Sequence, residues 1–275
     1  MEIRRLTDPD EFWQIAEPVV LAEPVLHSVL ASVADTVRRQ PGAYVDHEFY
    51  AVLRPGRPPF LAHHTPPYPF HLPVSDAEAA TALADAVHQH GGQPTAVGGQ
   101  LGSVEAFAAR WCELTARRSR VAMRMGVYEL PVAPRVPWPV AGHERLATAM
   151  DGGLVDAWLQ AFRRETGVGP ITGGASRLAI EDGRVRLWCD PEPVAMATAS
   201  VPAGGVTRIT YVYTPPEHRG RGYASAVTAA ISAAQRASGL RCVLYTDLAN
   251  PTSNGVYAAI GYRLLGETAD VEFVD

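Results

Sequence analysis

The stretch that decides the fold is VYTPPEHRGRGYA, residues 212–224. It overlaps the end of VTRITYVYT at 206–214, a run rich in β-branched and aromatic residues that predicts a strand. Residues 221–238, which follow, show a helical pattern in which small and branched apolar residues recur every three or four positions. The sequence therefore predicts a strand that passes directly into a helix through a glycine-bearing loop.

This junction has the features of an anion site. Gly220 and Gly222 allow the backbone to approach a ligand closely, and the unpaired amides of a helix start point toward such a ligand. The positive end of the helix dipole favours a pyrophosphate, and Arg219 and Arg221 add positive charge. A tight turn with solvated arginines has the same residues, so the glycines alone do not decide between a turn and a binding site.

Two sequence elements together resemble a known family. The pattern Arg219-x-x-Gly222-x-Ala224 resembles the Arg/Gln-x-x-Gly-x-Gly/Ala signature of the GNAT acetyltransferase superfamily. The segment DLANPTSNGVYAAIGY, residues 247–262, looks like that superfamily's Asn-x-x-Ala/Ser-x-x-x-Tyr-x-x-x-Gly-Phe/Tyr pattern. One predicted helix and one predicted strand separate the two elements, which makes the pair far more specific than either alone. The resemblance covers roughly residues 140–275.

The resemblance implies an acetyl-CoA site with a role for each matching residue. It implies that backbone amides pair with the pantetheine arm at Val212, Tyr213 and Thr214. It implies that the pyrophosphate is wrapped by Arg219, Gly220, Arg221, Gly222, Tyr223 and Ala224. The pantetheine chain would be held at the start of the next helix by Asn250, with Ser253 and Asn254 beside it. Tyr257 would protonate the departing thiolate, since a phenol of pKa about 10 is protonated at neutral pH.

Each of these roles has a structural alternative, and the general base is not identified. Asn250 before Pro251 is also a typical helix cap, and Tyr257 could be a core tyrosine. Many relatives carry a glutamate on the strand before the glycine loop, whereas residues 206–214 contain no carboxylate. Asp247 is the candidate base, with a turn before Asn250 as an equal alternative. Three other possibilities remain for the base: a residue of the N-terminal half, a chain of water molecules, or no base at all if the amine arrives neutral.

Two domains are expected, residues 1–133 and 134–275. The reason is the segment PVAPRVPWPV at 131–140, whose four prolines in ten residues predict a stiff connector. The predicted fold class is α/β with a mixed α+β sheet: two GNAT-like halves, each a twisted mixed β-sheet flanked by helices. In the C-terminal half, strands are predicted at 184–189, 193–200, 206–214, 241–246 and 262–274, and helices at 143–166, 221–238 and 252–260.

The N-terminal half has a related order of elements. Helices are predicted at 9–17, at 22–39, from a Ser75–Glu78 capping box to His90, and around Phe107–Leu114, with strands at 47–53, 59–63, 95–97 and 119–130. The strand–helix–strand order in 95–130 mirrors that of 241–274, which indicates a diverged duplication. No Arg-x-x-Gly-x-Gly counterpart exists there, so we expect a tandem protein whose degenerate N-terminal half binds no CoA.

Composition limits the partners and the compartment. The net charge of -5 points to neither nucleic acid nor an anionic membrane, and no apolar run approaches the ~18 residues that a span requires. Three cysteines without a pairing framework predict reduced thiols and a cytoplasmic location. His63, His64 and His71 lack a cysteine or carboxylate at a recognisable spacing, so no metal is expected.

The expected function is acetyl-CoA-dependent transfer of an acetyl group to an amine by direct attack in a ternary complex. The expected co-substrate is acetyl-CoA, and a small-molecule amine is favoured over a protein as acceptor. The alternatives on the same scaffold are an O-acyltransferase, an acyl-CoA hydrolase or a decarboxylase. A non-catalytic acyl-CoA sensor is the alternative of a different class. Asn250 and Tyr257 occur together, which favours the enzyme.

Overall fold

The computed structural model describes residues 1–40, 42–136, 138–168 and 175–275, which form two compact units. The first unit comprises residues 1–127, 247–249 and 266–275, and the second comprises 128–246 and 250–265. The predicted division at 133/134 stays a prediction, and the structure adds that the last ten residues group with the first unit. The proline-rich stretch 131–140 belongs to the second unit, and its Pro137 lies outside the described residues.

The elements are numbered in chain order. The strands are β1 (Glu2–Leu6), β2 (Glu48–Leu53), β3 (Phe60–His64), β4 (Phe70–Leu72), β5 (Ala96–Gln100), β6 (Arg118–Glu129), β7 (His143–Leu146), β8 (Val185–Cys189), β9 (Pro193–Ala199), β10 (Val206–Tyr213), β11 (Arg241–Asp247) and β12 (Arg263–Val274). The helices are α1 (Pro9–Ala22), α2 (Ser28–Arg39), α3 (Ala77–Gln89), α4 (Leu101–Thr115), α5 (Gly152–Thr166), α6 (Ala175–Glu181), α7 (Tyr223–Ala237) and α8 (Pro251–Ile260). Strands and helices are interspersed along the chain, as the mixed α/β prediction requires.

The first unit contains a mixed sheet. Its strands β1 to β4 pair as antiparallel neighbours, β4 pairs with β5 in parallel, and the C-terminal strand β12 pairs with β5 in antiparallel. Apolar side chains of α3 and α4 form a core with alternate residues of the sheet, among them Phe70, Val97 and Val271. Helix α1 packs against β2 through Phe12, whose ring stacks on Phe49 at 4.4 Å. The sheet therefore carries helices on both faces.

The second unit repeats this arrangement. Strands β7 to β10 pair as antiparallel neighbours, and β10 pairs with β11 in parallel. One core joins α7 and α8 to alternate residues of β9 and β10, and another joins α5 and α6 to β8. Successive side chains of β8 point to opposite cores: Leu187 lies in the α5–α6 core, and Trp188 packs against the α7–α8 core. Because both faces of the sheet are covered by helices, its strands have few polar residues.

Most predicted elements are confirmed. The helix predicted over 143–166, with an expected break at Gly152-Gly153, is confirmed from Gly152 onward and wrong before it. Residues His143–Leu146 form β7, because their backbone pairs with β8, and the helix begins at Gly152 behind a short 3-10 turn. The predicted capping box of Ser75 and Glu78 is wrong: the N-cap of α3 is Asp76, whose side chain accepts a hydrogen bond from the Ala79 amide. Strands β1 and β4 and helix α6 were not expected. No described helix has the length and apolar character needed to cross a membrane.

Candidate functional site

Strands β10 and β11 separate where the predicted pantetheine contacts lie. Their parallel pairing joins Val206–Arg208 to Arg241–Val243, and the residues Val212–Thr214 stand beyond its end. On the other side, the register of β10 against β9 shifts between Thr210 and Tyr213. Tyr211 within this irregularity has a φ of 48°, a left-handed conformation that is uncommon for a bulky residue. Irregularities of this kind bend a strand and often occur at functional sites.

The irregularity directs successive side chains of β10 into different cores. The ring of Tyr213 enters the α5 core beside Trp158 at 6.2 Å, and its hydroxyl donates to Glu165 Oε1 at 3.1 Å. Val212 instead packs against the core of α7 and α8, the same core that Tyr257 contacts. The backbone of residues 212–214 is thus held from both sides.

The loop that follows β10 in sequence provides no side-chain cap for the first amides of α7. Gly220 and Gly222 have φ values of 78° and 83°, a conformation that glycine adopts without steric cost. Gly222 is the N-cap of α7, and no side chain accepts from the first turn of this 15-residue helix. Arg221 is exposed and forms no ion pair with the described residues. Free amides and the positive helix end together suit a phosphate group.

Arg219 ties this loop to its surroundings. Its Nε donates to the Thr214 carbonyl at 2.9 Å, and its Nη2 donates to Glu165 Oε2 at 2.6 Å. The guanidinium also lies 5.8 Å from the centroid of the Tyr213 ring. A guanidinium has five N–H donors, so three remain after these two bonds. The sequence motif pointed to Arg219 as a ligand contact, and the structure adds that it fixes the loop.

Two further contacts position the start of α7. The Tyr223 side chain is buried, and its hydroxyl donates to the carboxylate of Asp190 in the turn between β8 and β9. Gly222 lies against the indole of Trp138, since a Cβ at this glycine would stand 2.6 Å from Trp138 Nε1. Sequence reasoning missed both Asp190 and Trp138. No motif marks them, because they reach the loop from distant parts of the chain.

Two hydroxyl groups near the loop are buried. Thr214 Oγ1 and Ser225 Oγ form no hydrogen bond within the described chain. Thr214 directly follows β10, and Ser225 lies in the first turn of α7, so they flank the glycine loop in sequence. Buried polar atoms are usually satisfied, and an unsatisfied pair beside an uncapped helix start fits a polar ligand such as a phosphate ester.

The start of α8 is capped by Asn250. Its Oδ1 accepts a hydrogen bond from the Ser253 amide at 3.0 Å. Asn250 is therefore a helix cap, which was the structural alternative to ligand binding. The side chain is exposed, so its NH2 group stays accessible for a further hydrogen bond. Ser253 and Asn254 lie in the first turn and are partly buried. Capping and ligand binding by Asn250 use different atoms and are compatible.

Tyr257 presents a protonated hydroxyl that has no hydrogen-bond partner in the described part of the chain. Its ring packs against the α7–α8 core and meets the Tyr262 ring edge to face at 6.1 Å. Burial raises the pKa of Tyr257 to about 12, so the hydroxyl keeps its proton at neutral pH. By contrast, the Tyr262 hydroxyl lies 2.8 Å from Ser232 Oγ. Tyr257 thus has the properties of a proton donor, and Tyr262 those of a core residue.

Asp247 forms a turn. Its Oδ1 accepts from the Ala249 amide at 2.8 Å, a short-range bond that is typical of aspartate in turns. Both residues belong to the first unit, whereas Asn250 and Tyr257 belong to the second. The hydrogen bond to Ala249 thus supports the turn alternative, and the role of Asp247 as a base stays a prediction.

No group of three or more His, Cys, Asp or Glu in the described ranges could hold a metal ion.

Comparisons with known proteins agree with this geometry. Residues 188–271 match the FR47-like protein family, a range that includes both sequence motifs. The match covers part of the second unit, and solved structures show that the fold is the one seen in GNAT acetyltransferases. Among solved structures, a GCN5-related N-acetyltransferase from Sphaerobacter thermophilus is similar with a TM-score of 0.61 and 15% identity over 98% of this chain and 94% of that one. No curated protein matches the sequence.

Two other solved structures are similar over nearly the whole chain, and one of them is a GNAT protein. A Drosophila protein is similar with a TM-score of 0.64 and 16% identity, over 99% of this chain and 98% of that one. A tandem GNAT protein from the clavulanic acid biosynthesis pathway is similar with a TM-score of 0.53 and 11% identity, over 99% and 98% of the two chains. At such identities the likeness is one of fold, and it includes the N-terminal half.

The first unit also contains a helix that connects two parallel strands, and the start of this helix carries a carboxylate. Helix α3 lies between the parallel strands β4 and β5, just as α7 lies between β10 and β11. At the start of α3, the carboxylate of Asp76 accepts from the Ala79 amide at 3.0 Å and pairs with Arg54. The start of α3 therefore has a side-chain cap, unlike the start of α7.

Proposed function

We propose that the chain is an acetyl-CoA-dependent N-acyltransferase, in which the second unit binds acetyl-CoA and an amine attacks the thioester directly. The observation that carries the proposal is the shared core of Val212 and Tyr257. It joins the separated end of β10 to a tyrosine whose hydroxyl is protonated and has no partner among the described residues. The separated end of β10 is needed to bind the thioester, and the protonated hydroxyl of Tyr257 is needed for departure of the thiolate.

The residues of the second unit fit the co-substrate. The uncapped amides of α7 and the side chains of Arg219 and Arg221 would bind the pyrophosphate, and the hydroxyls of Thr214 and Ser225 supply further polar contacts. The backbone of Val212–Thr214 and the NH2 group of Asn250 would bind the pantetheine arm. Acetyl-CoA itself supplies the thioester whose acetyl group is transferred.

The chemistry requires one bond to form and one to break. The amine nitrogen bonds to the thioester carbonyl carbon, the carbon–sulfur bond breaks, and Tyr257 gives its proton to the thiolate. Direct attack is favoured over a covalent intermediate, because Cys189 and Cys242 are buried and burial raises the pKa of Cys242 to about 11. The attacking nitrogen loses one proton as it becomes an amide. Asp247 or water accepts this proton, or, if the amine arrives neutral, the phenolate left on Tyr257 accepts it and so regains its proton.

The first unit is proposed to be a degenerate GNAT half. The carboxylate of Asp76 at the start of α3 supports this role, because it excludes a phosphate from the position equivalent to the glycine loop. The three free cysteines support a reducing compartment, the cytoplasm. A small-molecule amine is the proposed acceptor.

A direct test incubates the full chain with acetyl-CoA carrying a labelled acetyl group and a panel of small amines. Product mass and release of free CoA thiol are measured together. Labelled amide with equal thiol release supports the proposal. Thiol release without an acetylated amine identifies a hydrolase instead, and binding of acetyl-CoA without thiol release identifies a sensor.

A further inference from the structure

Trp138 presents a half-exposed indole beside the glycine loop. The chain has five tryptophans, all of which the structure describes, and the other four are buried or partly buried, whereas Trp138 is 48% exposed. One edge of the indole lies against the loop, since a Cβ at Gly222 would stand 2.6 Å from Nε1 and 3.5 Å from Cε2. With that edge in contact and about half of the residue exposed, part of the remaining ring surface is open to solvent.

The segment around Trp138 is anchored on both sides. Val136 and Val140 pack against the core of α7 and α8. Further along the chain, the Ala141 carbonyl accepts a hydrogen bond from Trp188 Nε1 at 2.8 Å. An aromatic ring that is already held in place loses less conformational freedom when a ligand packs on it. Trp138 is therefore a prepared surface beside the loop.

The exposed ring surface of Trp138 is not used by the protein itself. Among the described residues, no aromatic ring and no cation stacks on this indole, and no atom accepts from its N–H. The rings of Trp158 and Tyr213, by contrast, lie against each other in the α5 core. A large, flat π surface gains free energy by stacking on another aromatic ring. The vacant surface of Trp138 thus suits a planar aromatic group.

We propose that the indole of Trp138 stacks on the adenine base of acetyl-CoA. This inference rests on the proposed function, because it requires the pyrophosphate to bind at the start of α7. A single ribose joins the adenine of CoA to its pyrophosphate. A pyrophosphate on the uncapped amides of α7 therefore brings the base beside Gly222, which is where the indole lies. Stacking on an aromatic side chain is a general way of holding a base, since every base has a π face.

This role concerns affinity and leaves the acyl-transfer chemistry untouched. The adenine and the thioester are at opposite ends of acetyl-CoA, and Tyr257 acts at the thioester. Removal of the Trp138 indole should therefore raise the KM for acetyl-CoA and leave kcat unchanged. The loop residues Arg219 and Arg221 act on the phosphates, so Trp138 supplies a contact that the sequence motif does not.

Calorimetric titration of the full chain with CoA tests the contribution of the ring. Trp138→Ala should weaken CoA binding by about 5- to 100-fold, the range expected when a base loses its aromatic stacking partner. Trp138→Phe keeps an aromatic face and should recover most of the affinity. The matched control is Trp13→Ala, which removes a partly buried tryptophan of the first unit and should bind like the wild type.

Etheno-CoA is the second probe, because its fluorescent base is quenched when it stacks on an indole. With the ligand fully bound, the wild type and Trp13→Ala should quench the base, and Trp138→Ala should not. If Trp138 only supported Gly222, its removal would lower the affinity without changing the emission of the bound base, and that result overturns the inference. Equal CoA affinity of the wild type and Trp138→Ala also overturns it and leaves the proposed function intact. A wild type that binds no CoA overturns both.

Discussion

Arg219 in the glycine loop forms an ion pair with Glu165 near the end of α5, with Nη2 and Oε2 2.6 Å apart. Glu165 also accepts from the Tyr213 hydroxyl, so one carboxylate holds both the loop and the separated end of β10. The motif arginine is thus a positioning residue whose remaining donors are available for a phosphate.

Replacing Arg219 by Gln should weaken acetyl-CoA binding much more than it weakens folding. The pair with Glu165 is exposed on both sides, so its loss should lower the free energy of unfolding by less than about 1 kcal/mol. Calorimetric titration should show affinity falling by about tenfold or more, since a charged hydrogen bond and the loop geometry are both lost. The control is Arg177→Gln, which removes another exposed ion pair, to Glu181. Equal affinity for the two variants would contradict the prediction.

Tyr257→Phe should lower kcat by about 10²- to 10⁴-fold with little change in acetyl-CoA affinity, because only the acid is removed. Since the pKa of Tyr257 is raised to about 12, its deprotonation should not limit the rate between pH 6 and 9. Tyr262→Phe is the control. It should lower the melting temperature, because the buried Ser232 hydroxyl loses a partner, while kcat is retained. A wild-type kcat for Tyr257→Phe would exclude this tyrosine as the acid.

Gly222→Ala should destabilise the protein more than Gly220→Ala. Both glycines have a φ near +80°, where any other residue costs about 1–3 kcal/mol. Only at Gly222 would the added Cβ also meet Trp138 Nε1, at 2.6 Å, whereas the space at Gly220 is open. Urea unfolding measures both losses, and equal values would contradict the contact with Trp138. Gly220 is consequently the better position for testing CoA binding.

Asp270→Asn should stabilise the protein increasingly as the pH rises. The pKa of Asp270 is raised to about 6 in the folded state, so the folded carboxyl keeps a proton that the unfolded one has already lost. Stability from this group is therefore full below about pH 4 and lost as the pH rises through about 6. Over that range the gain in the free energy of unfolding of Asp270→Asn relative to the wild type should grow. It should stay below about 3 kcal/mol, because Asp270 is partly exposed and solvent screens its charge. A difference independent of pH would show that Asp270 titrates normally.

Titration with CoA should show one site per chain. The start of α7 is free of side-chain caps, whereas the start of α3 carries the Asp76 carboxylate. Asp76→Asn should leave the number of sites at one, because the asparagine side chain still caps the start of α3. Two CoA molecules per wild-type chain would refute the degenerate half.

The elements around the site could be predicted because their signals are local. The strand over Val206–Tyr213, the helix over Tyr223–Ala237 and the turn between them follow from side-chain periodicity and glycine placement within about 30 residues. The strand His143–Leu146 could not be predicted in this way. Its residues alternate only weakly, and pairing with β8 decides their conformation.

The sequence by itself determined the strand–glycine loop–helix junction, the two GNAT motifs and the candidate proton donor Tyr257. Only the tertiary structure decided the pairing of Arg219 with Glu165, 54 residues away, and the addition of β12 to the sheet of the first unit. It also decided the position of the Asp270 carboxylate over Gly98. The physical reason is that periodicity and turn chemistry act between near neighbours, whereas ion pairs and strand registers join residues that only the folded chain brings together.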